Sequence, residues 1–379
     1  MTPLPAPNAD QLAASQALTD HIRHAIGAAD GWIPFADYMR LALYTPGLGY
    51  YSGGSRKFGA MGDFITAPEI SPLFGQCLAR PVAQVLAATG GDVMEVGAGS
   101  GRLAADLLAE LERLGTLPGH YYILELSGEL AERQRETIAK AVPALVDRVE
   151  WLSALPDHFT GCIVGNEVLD AMPCRLLHKQ DGNWYERGVT WREGFTWEDR
   201  PTDAGTLAQR ELPDDYLTET QPEAEAFVAS LAQAVERGAL ILLDYGFAAD
   251  EYYHPQRHRG TLMCHYRHHS HDDPFHLPGL TDVTTHVNFS AIWHSATQAG
   301  WQLEGYASQA GFLLDAGLPE LMQGLDPNDT AYMKQAAAVQ KLVSPAEMGD
   351  LFKAIAFSKN LDLPGLLLGF RREDRSGAL

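Results

Sequence analysis

A glycine-rich turn between an apolar segment and a helical segment is the feature that most restricts the fold of this chain. Residues 93–96 (Val-Met-Glu-Val) are followed at 97–101 by Gly-Ala-Gly-Ser-Gly, after which residues 102–114 have helical spacing. Gly97 and Gly99 permit backbone angles closed to other residues and let a ligand approach the main chain. A strand, a glycine turn and a helix in this order predict one unit of a parallel α/β sheet.

The segments that follow continue the alternation of strand and helix. Apolar strands with intervening helices are typical of a parallel sheet that is covered on both faces. Beyond the first strand, the pattern predicts strands at 121–125, 149–152, 162–166, 239–244 and 301–306. We further expect mainly helix over 319–359 and a last strand at 366–370, where Leu-Leu-Leu-Gly-Phe forms a short apolar run.

The alternation breaks after Pro173. Residues 175–196 alternate apolar and polar side chains, with Asp181 and Gly182 between two such runs, which is typical of a β-hairpin. We therefore predict an α/β protein with a β-rich insertion. The predicted division is an N-terminal helical and loop cap at 1–88, a core formed by 89–174 and 236–379, and the insertion at 175–235.

The spacing of the glycines distinguishes two classes of cofactor. A dinucleotide fingerprint requires glycine at position 102, where this chain has Arg102, and places its pyrophosphate on a helix N-terminus. S-adenosylmethionine carries a sulfonium cation and no phosphate, so a nearby carboxylate such as Glu95 suits it better. Glu125 follows the next strand and can accept hydrogen bonds from both hydroxyls of a ribose. The pattern favours S-adenosylmethionine over NAD; a tight turn that merely requires glycine is the structural alternative.

Polar side chains follow the strand predicted at 162–166. The sequence continues with Asn166, Glu167 and, three residues later, Asp170. Because ligands bind beyond the carboxyl ends of parallel strands, we expect these side chains to project into the site. Carboxylates there would orient a cationic acceptor and help to remove its proton. Alternatively, they serve only the first turn of a helix, where acidic residues are favoured.

Charge and cysteine content narrow the partners and the compartment. The chain has 28 Lys and Arg against 49 Asp and Glu, which gives a net charge of −21. This charge disfavours nucleic acid as a binding partner and favours a basic protein or peptide. The four cysteines form no CxxC pair, which fits a reducing compartment. Residues 1–40 show neither a signal-peptide nor a transit pattern, and no apolar stretch is long enough for a membrane span. We expect a cytoplasmic protein without membrane insertion.

Histidines are concentrated in one stretch of the chain. Eight of the fourteen fall between His254 and His286, and Asp272, Asp273 and Asp282 lie nearby. The spacing matches no closed zinc pattern, since the only cysteine in the stretch is Cys264. We therefore expect no metal site there.

Four sequence blocks in a fixed order resemble the MidA-like family, whose mitochondrial members assist assembly of respiratory complex I. The blocks are Gly-Leu-Gly-Tyr-Tyr at 47–51, Gly-Asp-Phe-Ile-Thr-Ala-Pro-Glu at 62–69, Glu-Val-Gly-Ala-Gly-Ser-Gly at 95–101 and Asn-Glu-Val-Leu-Asp-Ala-Met-Pro at 166–173. The similarity covers roughly residues 30–370. It implies a class I methyltransferase fold with a seven-stranded, mostly parallel sheet. It also implies a protein-arginine methyltransferase that dimethylates an arginine of a complex I subunit.

The resemblance assigns roles to the residues of these blocks. It implies that Asn166, Glu167 and Asp170 face the acceptor and that the loop at 62–69 closes over S-adenosylmethionine. Of the three, we expect Glu167 and Asp170 to be the catalytic residues. The residues implied in cofactor binding are Glu95, Gly97, Ala98, Gly99, Gly101, Glu125, Leu126, Asn166, Asp63, Thr66 and Pro68. The chain lacks the transit pattern of the mitochondrial members. The resemblance therefore does not identify the target protein of this chain, and it does not decide whether the chain forms a homodimer.

Three alternative functions accompany this interpretation. The fold could serve a methyltransferase that acts on a small molecule, although the large insertion and the acidic surface argue against it. It could also serve a non-catalytic, cofactor-binding assembly chaperone. An NAD-dependent oxidoreductase is the least favoured alternative.

Overall fold

The computed structural model describes residues 4–53, 65–323 and 330–379. The chain forms two compact units, which we call the first and the second unit. The first unit consists of Met1–Phe64, Leu169–Ala224 and Ala249–Asn288. The second unit consists of Ile65–Val168, Glu225–Ala248 and Phe289–Leu379. The first unit therefore combines residues from the predicted cap, insertion and core.

The α-helices of the described residues are distributed along the whole chain. They are α1 (Ala9–Ala28), α2 (Phe35–Tyr44), α3 (Ala67–Ile70), α4 (Pro72–Thr89), α5 (Arg102–Leu114), α6 (Gly128–Ala141), α7 (Pro222–Ala234), α8 (Ala249–Tyr252), α9 (Phe289–Gln298), α10 (Gln309–Asp315), α11 (Leu318–Gln323) and α12 (Thr330–Val343). None of these described helices is both long and apolar enough to cross a membrane.

The β-strands are shorter on average and belong to separate sheets. They are β1 (Trp32–Pro34), β2 (Asp92–Val96), β3 (Tyr121–Leu124), β4 (Val149–Leu152), β5 (Phe159–Asn166), β6 (Arg175–Gln180), β7 (Asn183–Trp191), β8 (Phe195–Pro201), β9 (Tyr216–Thr220), β10 (Val235–Phe247), β11 (Met263–Tyr266), β12 (His269–His271), β13 (Asp282–Thr284), β14 (Val287–Asn288), β15 (Gln302–Ser308) and β16 (Phe352–Lys359).

The second unit contains the sheet that the sequence predicted. Its strands follow the order β15-β16-β10-β5-β2-β3-β4. Neighbours from β4 to β10 are parallel, whereas β16 is antiparallel to both β10 and β15. The expectation of a mostly parallel sheet is confirmed, and this path has the expected seven strands; the two-residue β14 is an eighth strand of the same sheet. Because β2, β3 and β5 are adjacent and parallel, their carboxyl ends lie at one edge, as a ligand site of this fold class requires.

Helix α5 shows why this part of the sequence folds against the sheet. Leu103, Leu107 and Leu111 recur at four-residue intervals and are buried in the large apolar core of the second unit. Each fully buried leucine contributes roughly 1.5–3 kcal/mol of hydrophobic stabilisation. The helix ends at Gly115, whose φ of 71° is the left-handed conformation that favours glycine at a helix C-terminus. The sequence after the glycine turn thus forms one amphipathic helix that anchors the turn to the core.

Near the C-terminus, one prediction was wrong and another was correct only in part, because 319–359 contains α11 and α12 but not helix throughout. The segment 319–359, expected to be mainly helical, ends in strand β16, and the segment 366–370, expected to be a strand, is a loop. Alanine and lysine in β16 favour helix locally, but pairing with β10 and β15 overrides that propensity and buries most of the strand. In the loop, Leu367 and Phe370 are buried in the core without strand pairing.

The first unit is built on antiparallel strands. One sheet has the order β1-β7-β6-β9, with β8 also paired to β7, and a second has the order β12-β11-β13. Gln180 pairs with Asn183 across the predicted hairpin, and the turn residues Asp181 and Gly182 have φ values of 51° and 75°. This two-residue turn confirms the hairpin, and its two positive φ angles are those of a type I′ turn. The predicted β-rich insertion thus forms the strands β6 to β9 of the first unit.

Candidate active site

The glycine turn leaves an open approach to the main chain at a single position. Gly97, Gly99 and Gly101 have φ values of 68°, 51° and 82°. A Cβ at Gly97 would lie 3.0 Å from the Val168 side chain, and a Cβ at Gly101 would lie 2.9 Å from Gln134 Cα. Among the described residues, apart from its own chain neighbours, a Cβ at Gly99 would have no atom within 4 Å. Two glycines of the turn are therefore needed for packing, whereas Gly99 borders free space that a ligand can occupy.

Glu125 lies directly after β3, and hydrogen bonds fix its carboxylate. The backbone N–H of Ser127 donates to Oε1 at 2.8 Å, and the side-chain Nε2 of Gln134 donates to Oε2 at 2.9 Å. Burial raises the pKa of this carboxyl, and the hydrogen bonds from Ser127, Gln134 and Leu126 oppose the shift. A carboxylate oxygen has two lone pairs, so each oxygen can accept a further hydroxyl hydrogen. This arrangement fits the predicted contact with a ribose.

Gln134 is a site residue that the sequence interpretation missed. Its Nε2 also donates to the carbonyl oxygen of Gly99 at 3.1 Å, and its Oε1 accepts the indole N–H of Trp151 at 2.9 Å. The side chain is fully buried. A signal was present, because Gln134 stands four residues from both Leu130 and Ile138, on the buried face of α6.

Glu95 is buried inside the sheet and bonded to a neighbouring strand. The Tyr121 hydroxyl donates to its Oε2 at 2.6 Å. Burial raises the pKa of Glu95 to about 7; the hydrogen bond from Tyr121 opposes this shift, and the charge of Glu125 adds to it. The structure thus places the carboxyl against Tyr121, and its predicted contact with the cofactor stays a prediction.

The carboxyl end of β5 presents Asn166 and Glu167. Glu167 has a φ of 52°, a left-handed conformation that is uncommon outside glycine, and its N–H donates to the Leu243 carbonyl at 2.8 Å. Its Oε1 accepts the Asn166 side-chain amide at 3.0 Å and the Ala67 N–H at 3.3 Å. Strained backbone of this kind clusters at functional sites. The contacts orient the Glu167 carboxylate at the edge of the sheet.

Asn166 retains an unused acceptor. The residue is 9% exposed, and its buried Oδ1 has no hydrogen-bond partner among the described residues. A buried carbonyl oxygen without a donor is costly, which is a reason to expect a ligand that donates to it. The ammonium group of an amino-acid moiety, as in S-adenosylmethionine, has the required chemistry.

Helix α3 connects two parts of the candidate site. Glu69 accepts a hydrogen bond from the Ser100 hydroxyl in the glycine turn, and the N–H of Ala67 contacts Glu167. The predicted residues Thr66 and Pro68 lie at the start of this helix, and Pro68 is buried. Three predicted residues remain. Ala98 is buried in the turn, Leu126 is 80% exposed beside Glu125, and Asp63 lies outside the described residues.

Asp170 belongs to the first unit, whereas Glu167 belongs to the second. Asp170 is buried, and its carbonyl oxygen accepts the N–H of Thr285 at 3.0 Å. The ring of Tyr51 stacks on Tyr44 at 5.5 Å, and burial together with the charges of Asp282 and Asp170 raises the pKa of the Tyr51 hydroxyl. Asp170 is therefore part of a buried aromatic and acidic cluster.

The residues of the second unit fit S-adenosylmethionine better than a dinucleotide. The free space at Gly99, the fixed carboxylate of Glu125 and the unused acceptor of Asn166 correspond to an adenosyl group with a ribose and an amino acid. Arg102, the cation that follows the turn, is paired with Asp106 at 2.9 Å. It is thus engaged within its own helix. In the part of the chain that the structure describes, no group of three or more His, Cys, Asp or Glu side chains could hold a metal ion.

Comparisons with known proteins point to the same cofactor. A family model of S-adenosyl-L-methionine-dependent methyltransferases matches residues 77–307. The mitochondrial protein arginine methyltransferase NDUFAF7 of Danio rerio is 29% identical over 366 residues, which cover 86% of this chain and 83% of that protein. Its counterpart in Bos taurus is 28% identical, covering 93% of this chain and 86% of that protein.

Solved structures support the fold and the cofactor. A Burkholderia thailandensis protein crystallised with S-adenosyl-homocysteine is 52% identical, with a TM-score of 0.96 and 100% coverage of both chains. A native crystal structure from the same organism has a TM-score of 0.93 and the same identity. S-adenosyl-homocysteine is what S-adenosylmethionine becomes after it has given up its methyl group. The expected fold and the expected cofactor are therefore confirmed.

Proposed function

Since the chain belongs to the MidA-like family of S-adenosylmethionine-dependent methyltransferases, we propose that its acceptor is an arginine side chain of a protein. The relatives in Danio rerio and Bos taurus bear the name protein arginine methyltransferase. The net charge of −21 favours a basic partner over nucleic acid. Both observations support a cationic protein acceptor over a small neutral molecule.

The observation that carries the proposal is the orientation of Glu167. A guanidinium group is planar, remains protonated at neutral pH and pairs well with a carboxylate. The Glu167 carboxylate is fixed at the carboxyl end of β5 by the amide of Asn166 and the N–H of Ala67. A carboxylate that is held in place before the acceptor arrives loses little freedom on binding it.

The chemistry divides among a few residues of the chain. When bound, S-adenosylmethionine supplies a methyl group on a positively charged sulfur. Glu125 would hold the ribose and Asn166 the ammonium group. Glu167 would orient the guanidinium nitrogen and accept its departing proton, and the catalytic role predicted for Asp170 stays a prediction. Positioning of this kind contributes several kcal/mol of rate enhancement, about 7–11 kcal/mol in the most favourable cases.

The test compares two amide variants with a surface control. We expect Glu167→Gln and Asp170→Asn to reduce methyl transfer to the protein acceptor at least about hundredfold, because catalytic proton transfer contributes about 10²–10⁴. Their Kd for S-adenosylmethionine, measured by calorimetry, should change less than about threefold, since catalysis and uniform binding are separable. Glu112→Gln, at an exposed position of α5, is the matched control and should leave both quantities unchanged. Full activity of both active-site variants would show that the assignment is wrong.

The acceptor itself can be identified with labelled cofactor. We propose that it is a subunit of respiratory complex I or a similar protein, methylated in the cytoplasm. Labelled S-adenosylmethionine added to a cell lysate should place the label on protein arginine, located by mass spectrometry. Label in metabolites would indicate a small-molecule methyltransferase. Cofactor binding without any S-adenosyl-homocysteine product would indicate a non-catalytic chaperone.

A further inference from the structure

We propose that Gln134 is a positioning residue for the cofactor: its amide orients the Glu125 carboxylate, and the Trp151 indole in turn orients the amide. The three residues form a chain of hydrogen bonds within the second unit. This inference concerns cofactor binding alone. It therefore stands or falls independently of the proposed arginine acceptor.

The orientation of the Gln134 amide is fixed by the chemistry of its partners. An indole N–H can only donate, so the amide atom that faces Trp151 is the oxygen. The amide nitrogen then faces the Gly99 carbonyl at 3.1 Å and the Glu125 carboxylate at 2.9 Å, both of which only accept. A rotated amide would place oxygen against two acceptors and nitrogen against a donor. All three contacts thus agree on one orientation.

The position of Gln134 brings both parts of the cofactor site to one side chain. Its Cα lies 2.9 Å from where a Cβ at Gly101 would be, so α6 packs directly against the glycine turn. From there the amide reaches the turn through Gly99 and the ribose carboxylate through Glu125. A buried glutamine that served α6 packing alone would not need to join these two groups. The Gln134 side chain thus sets the distance between the accessible main chain at Gly99 and the carboxylate of Glu125.

The test measures ligand discrimination as well as affinity. Gln134→Met keeps the volume of the side chain and removes the amide. We expect calorimetry to show that the Kd for S-adenosyl-homocysteine rises about tenfold, as for loss of a hydrogen bond to a charged group. The wild-type preference for S-adenosyl-homocysteine over its 2′,3′-dideoxy analogue should fall to about threefold or less, because the carboxylate no longer faces both hydroxyls.

A glutamine elsewhere in the second unit provides a matched control. Gln84 also forms hydrogen bonds through both ends of its amide, donating to the Leu366 carbonyl and accepting the N–H of Leu368. Gln84→Met should lower the melting temperature without changing either ligand's Kd. The proposal is overturned if Gln134→Met leaves the Kd for S-adenosyl-homocysteine unchanged. It is equally overturned if both ligands lose affinity by the same factor, because that result indicates a purely structural role.

The indole supplies a second, independent variant. Trp151→Phe removes the N–H that orients the amide while leaving the amide contacts to Glu125 and Gly99 possible. We expect a smaller rise in the Kd for S-adenosyl-homocysteine, about threefold, with a partial loss of the preference over the dideoxy analogue. If Gln134→Met does not fold, this variant decides the question alone. An unchanged Kd together with an unchanged preference would then overturn the proposal.

Discussion

At the residue scale, the hydrogen atom of Gly99 faces space that any larger residue would fill. We expect Gly99→Ala to raise the Kd for S-adenosyl-homocysteine at least about tenfold, because the methyl group enters the cofactor space and alanine is strained at a φ of 51°. The unfolding free energy should fall by only about 1 kcal/mol, the usual cost of a left-handed alanine. Calorimetry and denaturant unfolding measure the two effects.

Gly115 separates the backbone strain from the steric effect on the ligand. It ends α5 with a φ of 71°, and a Cβ there would likewise have no atom of another described part of the chain within 4 Å. Gly115→Ala should therefore cost a similar unfolding free energy, about 1 kcal/mol, and leave the Kd unchanged. Equal losses of ligand affinity in the two variants would contradict the assignment of Gly99 to the cofactor space.

Glu95 should make the stability of the second unit depend on pH. Burial raises the pKa of Glu95 from 4.5 to about 7, so its ionised form destabilises the folded state. Because the pKa of this carboxyl is higher in the folded state than in the unfolded state, the folded state becomes more stable as the pH falls from the folded-state pKa towards the unfolded-state pKa. Relative to Glu95→Gln, the wild-type unfolding free energy should therefore rise by about 2 kcal/mol between about pH 8.5 and about pH 5.5. Urea unfolding at both pH values, without ligand, tests this; parallel pH dependence in the two proteins would contradict it.

The sequence predicted some residues of the candidate cofactor site but not others. Gly97, Gly99 and Glu125 were predicted because a strand followed by a glycine turn has few alternative geometries. Gln134 was missed because it stands among the charged residues of α6, although its spacing from Leu130 and Ile138 indicates the buried face of that helix. Only its contacts with Gly99, Glu125 and Trp151 reveal its role, and these depend on tertiary packing.

At the scale of elements, the carboxyl ends of the parallel strands determine where the residues of the candidate active site lie. Parallel β2, β3 and β5 deliver the glycine turn, Glu125 and the Asn166–Glu167 pair to the same edge of the sheet. Next to β5, the carboxylate of Asp244 accepts the N–H of Val168 at 3.1 Å and supports the turn that follows Glu167. The order of strands, rather than any one motif, therefore determines which side chains can act together.

Elements were predicted well where pattern and pairing agree. The parallel strands were found because their apolar runs alternate with amphipathic helices. Strand β16 was missed because Ala and Lys give it helical propensity, while its β conformation results from pairing with β10 and β15. The apolar run at 366–370 was mistaken for a strand because hydrophobicity reports burial and not hydrogen bonding.

At the scale of the whole molecule, the net charge of −21 should influence the acceptor more than the cofactor. If the acceptor is a basic protein, its KM should rise about tenfold when the salt concentration increases from about 0.05 M to about 0.5 M, because salt screens attraction between exposed charges. The Kd for S-adenosyl-homocysteine, which carries no net charge, should change less than about twofold under the same conditions. Steady-state kinetics and calorimetry in the same buffers provide the comparison. An acceptor KM that does not respond to salt would contradict electrostatic recruitment.

The position of β16 also has a consequence for how the protein is made. This strand lies between β10 and β15, although both precede it in the chain, and β15 pairs with no other strand of the described residues. A nascent polypeptide that emerges from the ribosome therefore exposes the unpaired edges of β10 and β15 until residue 359 has been synthesised. Completion of the sheet must wait for the final part of translation, so a cell has reason to shield this growing chain with chaperones.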